Sequence, residues 1–248
     1  RYWRDWSSDV CSSDLIDPEK ISVIYNGIKV EQYRPTTNAS ALEQHFIDPE
    51  KPIVLFVGRI TRQKGILQLV NAVRYINPEA QVVLCAGSPD TAEVRAEMED
   101  AVKAVRHEGF RNLIWIQEML SKPEVIQLYS HATVFCCPSI YEPFGIINLE
   151  AMACRTAVVA SAVGGIKEVV IDGVTGYLVP LEQLHVAPFE PVNPDAFSRD
   201  LATAINKILD NPELAESMAA AGQQRAREVF SWSSIAQQTK TLYDSLLK

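Results

Sequence analysis

Six short apolar runs rich in β-branched residues, at 21–25, 53–57, 81–86, 113–117, 133–137 and 157–160, alternate along the chain with longer stretches of helical spacing. No other feature constrains the fold as much. The helical stretch 65–76 places Ile66, Leu69, Val70, Val73 and Ile76 on one face. Further helices are expected over 91–107, 122–129 and 145–154, the first of these charged and more exposed. Continuously apolar strands are buried on both faces, and strands separated by helices pair in parallel through right-handed crossovers. The expected fold class is therefore α/β, a doubly wound parallel sheet that is Rossmann-like. In such sheets ligands bind beyond the carboxyl ends of the strands.

The pattern changes after Pro180. Pro188, Pro191 and Pro194 mark a surface loop over 184–194. Asn193 or Asp195 can cap a helix over 196–209, a second starts at Asn211-Pro212 and runs to about 230, and Ser231 caps a last one to 247. At the other end, residue 1 is Arg1, and Ser7-Ser8-Asp9 and Ser12-Ser13-Asp14 form a near-repeat that follows Trp3 and Trp6. Residues 1–15 show no clear combination of the basic start and apolar run of a signal peptide, and resemble translated adapter sequence. They read as a non-native leader to a chain that begins partway through a longer protein.

Composition narrows the function. A net charge of −8 argues against a general nucleic-acid surface, so any anion site must be local. No run of about 18 uncharged apolar residues suggests a membrane span. Of the five cysteines, Cys85, Cys136, Cys137 and Cys154 lie in apolar contexts without a CxxC pair and read as buried free thiols of a reducing, cytoplasmic compartment. Cys136 and Cys137, adjacent on a strand, point to opposite faces, against joint metal ligation. His131 reads as a helix-end residue, and His45, His107 and His185 have no partner in sequence.

Three constellations carry chemistry. In the first, Gly58-Arg59 and Lys64-Gly65 bracket a loop between a strand and a helix. Arg59 and Lys64 would both project near a helix amino terminus that already favours an anion, which suits a phosphate-bearing ligand. The second places Glu142 before a helix and Glu150 eight residues later, with Phe144, Gly145 and Ile146 between them. Glu150 falls roughly 7–8 Å along the helix axis from its start. Carboxylates at both ends and free amides in the middle match a ligand with hydroxyls at both ends and phosphate between. The third, Gly164-Gly165 ahead of Glu168, permits close approach to a ligand before another helix.

Taken in order, Tyr25-Asn26-Gly27-Ile28, Gly58-Arg59 with Lys64-Gly65, the Glu142-to-Glu150 element, Glu150-Ala151-Met152-Ala153, and Gly164-Gly165 with Asp172-Gly173 and Gly176 resemble the carboxyl-terminal half of retaining GT-B glycosyltransferases of family GT4. The resemblance covers roughly residues 20–245. A narrower resemblance, to actinobacterial-type glycogen synthases, rests on residues 85–91, on Glu118-Met119-Leu120, on residues 131–135 and on Phe230-Ser231-Trp232. Lys167 departs from a proline expected in many relatives.

The resemblance implies a hexosyltransferase. It would move glucose from ADP-glucose, with retention, to an α-glucan or sugar-phosphate acceptor. Gly58, Arg59, Lys64, Met119, Leu120, Glu142, Phe144, Gly145, Ile146 and Glu150 would bind the donor, and Arg59, Lys64 and Glu142 would carry catalysis. Arg59 and Lys64 would hold the diphosphate and stabilise the departing nucleotide. Glu142 would hold donor-sugar hydroxyls, Glu150 the ribose, and Met119 or Leu120 would cover the base. No metal or other cofactor is implied, and neither nucleic acid nor membrane is an expected partner.

Residues 16–230 would form the donor-binding domain. Residues 231–248 would form a helix crossing to an acceptor domain that is missing, its apolar face of Ile235, Leu242 and Leu246 exposed, and the chain alone would transfer sugar poorly. Another GT4 hexosyltransferase using a UDP- or GDP-sugar, a non-catalytic nucleotide-sugar-binding module, and a GT-B-shaped epimerase remain as alternatives.

Overall fold

The computed structural model describes residues 20–247; the leader expected at 1–15 lies outside them. The sheet has six strands, β1 (Ile53–Val57), β2 (Gln81–Cys85), β3 (Leu113–Ile116), β4 (Val134–Cys137), β5 (Ala157–Ser161) and β6 (Gly176–Val179). Their order is β3-β2-β1-β4-β5-β6, and every pair is parallel. The order reverses between β1 and β4, so the crevice at their carboxyl ends is the topological switch point.

The strands bury both faces. Val54, Phe56, Val82, Leu84, Val134 and Cys136 face one core with α2 (Ile66–Ala72), α3 (Ala92–His107) and α7 (Pro194–Leu209). Ile53, Leu55, Val83, Phe135 and Cys137 face the other with α1 (Ser40–Gln44), α4 (Lys122–His131), α5 (Ile146–Ala153) and α6 (Ile166–Val169). Cys136 and Cys137 thus diverge to opposite cores, as strand alternation requires. The four cysteines among the described residues are free and buried. Burial pushes the Cys85 and Cys154 thiols up to about 12. Truncating a fully buried residue such as Leu55 to alanine costs about 2–5 kcal/mol.

Sequence signals set the helix starts. Thr91 accepts from the Val94 amide, Asn193 from Ala196, Asn211 from Leu214 to begin α8 (Pro212–Glu228), and Ser231 from Ser234 to begin α9 (Trp232–Leu246). Asn193, not Asp195, is the cap of α7. The charged helix α3 is amphipathic, burying Val94, Met98, Val102 and Val105.

Three features differ from the sequence expectation. Residues 21–25 form no strand. Val23 is exposed, and the segment is held instead by the Tyr25 ring, 6.1 Å from Phe144 and 5.7 Å from Phe230. An apolar run docked through one aromatic has the composition of a strand without its hydrogen-bonding partner. Conversely β6 carried no strand signal because it opens on Gly176, where a Cβ would sit 2.0 Å from the Val158 carbonyl oxygen of β5. The apolar face of α9 is also only partly open: Ile235 is buried, whereas Leu246 is exposed.

Candidate functional site

The site grows from the loops that leave β1 and β4. Beyond β1 the backbone stays paired with the loop after β2: Ile60 N donates to Ser88 O, and Asp90 N donates to Ile60 O. Thr61 then caps a single 3-10 turn, Arg62–Lys64, by accepting from the Lys64 amide at 3.1 Å. Gly65 follows at φ 61, and a Cβ there would lie 1.9 Å from the Pro138 carbonyl oxygen. The Ile140 amide donates to Gln63 O across 2.8 Å. These contacts seat the β1 loop on the β4 loop and deliver Lys64 to its partner. Lys64 Nζ donates to Glu142 Oε2 at 2.6 Å, and Glu142 is buried.

The Glu142 backbone is held from the far side. Gly165 N donates to Glu142 O at 3.0 Å. A Cβ on Gly164, at φ 45, would lie 2.2 Å from Glu142 O, and one on Gly165 would lie 2.4 Å from Pro143 O. The close approach that these glycines and Gly65 permit is therefore to neighbouring loops of the same chain, not directly to a ligand. The side chain of Phe144 joins Tyr25 and Phe230, which fixes the backbone of residues 143–145. Gly145, at φ 90, opens α5, whose first turn closes with Asn148 N donating to Gly145 O. The amides of Ile146 and Ile147 precede that bond, so they are free-ended helix donors facing an anion-favouring end.

Arg59 and Glu150 take different surroundings. Arg59 Nη1 donates to Asp90 Oδ1 at 3.0 Å, with the guanidinium largely solvated. Glu150 accepts from the Tyr129 hydroxyl at 3.2 Å, and the Tyr33 hydroxyl faces the same carboxylate. Burial holds its carboxyl above the usual range, opposed by the Tyr33 and Tyr129 hydroxyls and by Lys122. Of the four charged residues singled out in sequence, then, Lys64 and Glu142 meet directly. Arg59 is turned to Asp90, and Glu150 sits in its own tyrosine-lined recess.

The loops after β2 and β3 also touch, since a Cβ on Gly87 would lie 2.4 Å from Gln117 O. Met119, beyond them, is 86% exposed, whereas Leu120 packs partly against the core. Gly58 needs no such close fit: its nearest neighbour is the Phe56 ring. His131 ends α4 with its Nδ1 2.9 Å from Gln127 O. Among the described residues no group of three or more His, Cys, Asp or Glu is placed to hold a metal ion, and no helix is long and apolar enough to cross a membrane.

Sequence reasoning missed Tyr33, Tyr129, Asp90 and Asn148. The last was visible as a polar residue within the apolar stretch 146–149. It is fully buried, and neither of its amide atoms has a partner.

Residues 38–225 match the family model described as glycosyl transferases group 1. The chain belongs to that family. Within group 1, it is 44% identical over 231 residues to alpha-maltose-1-phosphate synthase of Mycolicibacterium smegmatis, a match covering 92% of this chain and 57% of the relative. Among solved structures it resembles sucrose-phosphate synthase from Thermosynechococcus elongatus, at 35% identity and a TM-score of 0.72, covering 90% of this chain and 52% of that one. The carboxyl-terminal domain of a group 1 protein from Francisella tularensis has the same fold at 23% identity and a TM-score of 0.69, covering 83% of this chain and 100% of that domain. The chain thus spans a little over half the length of the full relatives it matches, and its fold is that of a GT-B carboxyl-terminal domain.

Proposed function

We propose that this chain is the nucleotide-sugar-binding part of a retaining hexosyltransferase that takes glucose from ADP-glucose and passes it to an α-glucan or sugar-phosphate acceptor. One observation carries the reading: an ion pair, Lys64 with Glu142, lies at the switch point of a parallel sheet, beside the open amino terminus of α5. The 44% identity to a maltose-1-phosphate synthase supports the narrower choice of glucosyl donor and acceptor.

A diphosphate entering the crevice offers Lys64 a better partner than Glu142, because it carries more charge and meets the α5 amides together with the ammonium. Lys64 then faces the leaving phosphate, where negative charge grows as the glycosidic bond breaks. Glu142, released from Lys64, keeps the Ser139 hydroxyl 3.5 Å from Oε2 and has lone pairs left on both oxygens to accept from sugar hydroxyls. Arg59, on a solvated guanidinium, can leave Asp90 at little cost and add a second cation to the diphosphate. Glu150 takes the ribose, and the contacting loops after β2 and β3, with Met119 or Leu120, form the base side.

Titration calorimetry with ADP-glucose, UDP-glucose and GDP-mannose tests this reading. ADP-glucose should bind tightest, and Lys64→Ala should weaken it at least tenfold. Tightest binding of UDP-glucose or GDP-mannose would reassign the donor. Absence of binding by all three, in a folded protein, would overturn the reading. In the full-length protein a transferase should lose turnover with Arg59→Ala and Lys64→Ala, whereas a module without chemistry would lose affinity alone.

A further inference from the structure

Glu150 is an ionisable group in a mostly apolar recess, and two hydroxyls from distant parts of the chain converge on it. Tyr129 projects from α4; its ring is fully buried, edge-on to Phe135 at 5.4 Å, and its hydroxyl lies 3.2 Å from Glu150 Oε2. Tyr33 comes from the turn before α1, where its amide donates to Lys29 O at 2.9 Å. Lys122 Nζ lies 5.8 Å over the Tyr33 ring, and the Tyr33 hydroxyl faces Glu150. The turn bearing Tyr33 is anchored in its own right, because Ile28 N donates to Phe230 O and Trp232 N donates to Ile28 O. Burial and the neighbouring carboxylate hold both phenols above their ordinary value, so both remain donors at neutral pH. The remaining titratable neighbours of Glu150 are Lys122 and Cys154.

We infer that Tyr33 and Tyr129 are positioning residues that lock the Glu150 carboxylate in one orientation, leaving its remaining lone pairs aimed at the two ribose hydroxyls of the donor. The inference rests on the proposed role of Glu150 as the ribose acceptor. An ionised carboxylate offers about four acceptor sites. Two phenols occupy part of that capacity and leave room for two further O–H donors, the number a ribose presents at its 2′ and 3′ positions. Neither phenol needs to touch the ligand. Tyr129 commits its hydroxyl proton to Glu150 and Tyr33 sets its hydroxyl beside it, and each acts by fixing a side chain that would otherwise rotate or take up a proton.

The test compares ADP, 2′,3′-dideoxyadenosine diphosphate and pyrophosphate as ligands of the 248-residue chain. The variants are the wild type, Tyr33→Phe and Tyr129→Phe, which keep the rings and remove only the hydroxyls. The wild type should prefer ADP to the dideoxy compound by about tenfold or more, the scale of hydrogen bonds to a charged group. In the variants this preference should shrink several-fold while pyrophosphate affinity stays unchanged, an outcome that a general loosening of the fold would not produce. Tyr33→Phe alone decides the matter if Tyr129→Phe does not fold.

Preserved discrimination in the variants, or equal weakening of all three ligands, would overturn the inference and leave the ribose role of Glu150 standing. Absence of discrimination in the wild type would overturn that role, and the inference with it.

Discussion

Lys64 Nζ sits 2.6 Å from Glu142 Oε2 and joins two loops 78 residues apart in sequence. The side chains are 19% and 10% exposed, so the pair is well shielded from water. A carboxylate in that position cannot be left without its cation cheaply. Lys64→Met should therefore destabilise the protein by about 2–4 kcal/mol. The double change Lys64→Met with Glu142→Leu should recover most of that loss while leaving the protein unable to bind a nucleotide sugar. Urea denaturation of the two variants checks the stability terms. A double variant no more stable than the single one would show that the pair is not what holds these loops.

Gly164 and Gly109 make a controlled comparison. Both have positive φ, 45 and 101. A Cβ at Gly164 would press on Glu142 O at 2.2 Å, whereas at Gly109 there is open space within 4 Å. Gly109→Ala should cost about 1–2 kcal/mol, the backbone strain alone. Gly164→Ala should cost clearly more and also weaken donor binding, because the Glu142 backbone must move. Equal melting temperatures for the two variants would contradict the packing role given to Gly164.

Glu150 gives a pH dependence whose sign is fixed. Its folded-state carboxyl titrates above the usual carboxylate range because of burial. The folded chain therefore binds the proton more tightly than the unfolded chain, and stability is lost as pH rises from the ordinary carboxylate range through the raised value. Glu150→Gln removes this titration while still accepting from the Tyr129 hydroxyl. Relative to wild type the variant should gain stability as pH rises through that window, reaching its full advantage at neutral pH, and should bind ADP more weakly. Denaturation curves from acid to neutral pH test it. A stability difference that stays constant across the window would refute the burial argument.

Asn148 is fully buried with both side-chain polar atoms unpartnered. Replacing an unsatisfied buried amide by an apolar group of similar volume removes a desolvation cost. Asn148→Leu should raise stability by about 1–2 kcal/mol. Destabilisation on thermal unfolding would mean that the amide is satisfied in solution.

Much of this was legible in the residues themselves. The switch from short continuous apolar runs to helical spacing is enough to identify a doubly wound sheet, and Asn211 and Ser231 announce their helices by side-chain chemistry alone. Lys64 and Glu142 stood out because each occupies a glycine-punctuated loop between a strand and a helix. The arm at 21–25 misled because Tyr25 docks on Phe144 and Phe230 without any strand partner, and pattern carries no information about partners. Ion-pair choice was equally hidden: that Arg59 turns to Asp90 while Lys64 turns to Glu142 depends on the backbone pairing of residues 60 and 88–90. Tyr33 and Tyr129 read as ordinary aromatics until the fold sets both beside one carboxylate.

The central claim is that the Lys64–Glu142 pair opens to receive the diphosphate and sugar of a nucleotide-linked hexose. A crystal structure of the chain soaked with ADP-glucose tests it most directly. The account predicts a phosphate oxygen within hydrogen-bonding distance of Lys64 Nζ, sugar hydroxyls on Glu142, and the contact between these two side chains broken or lengthened. Ligand density at another surface, with Lys64 still on Glu142, would contradict it.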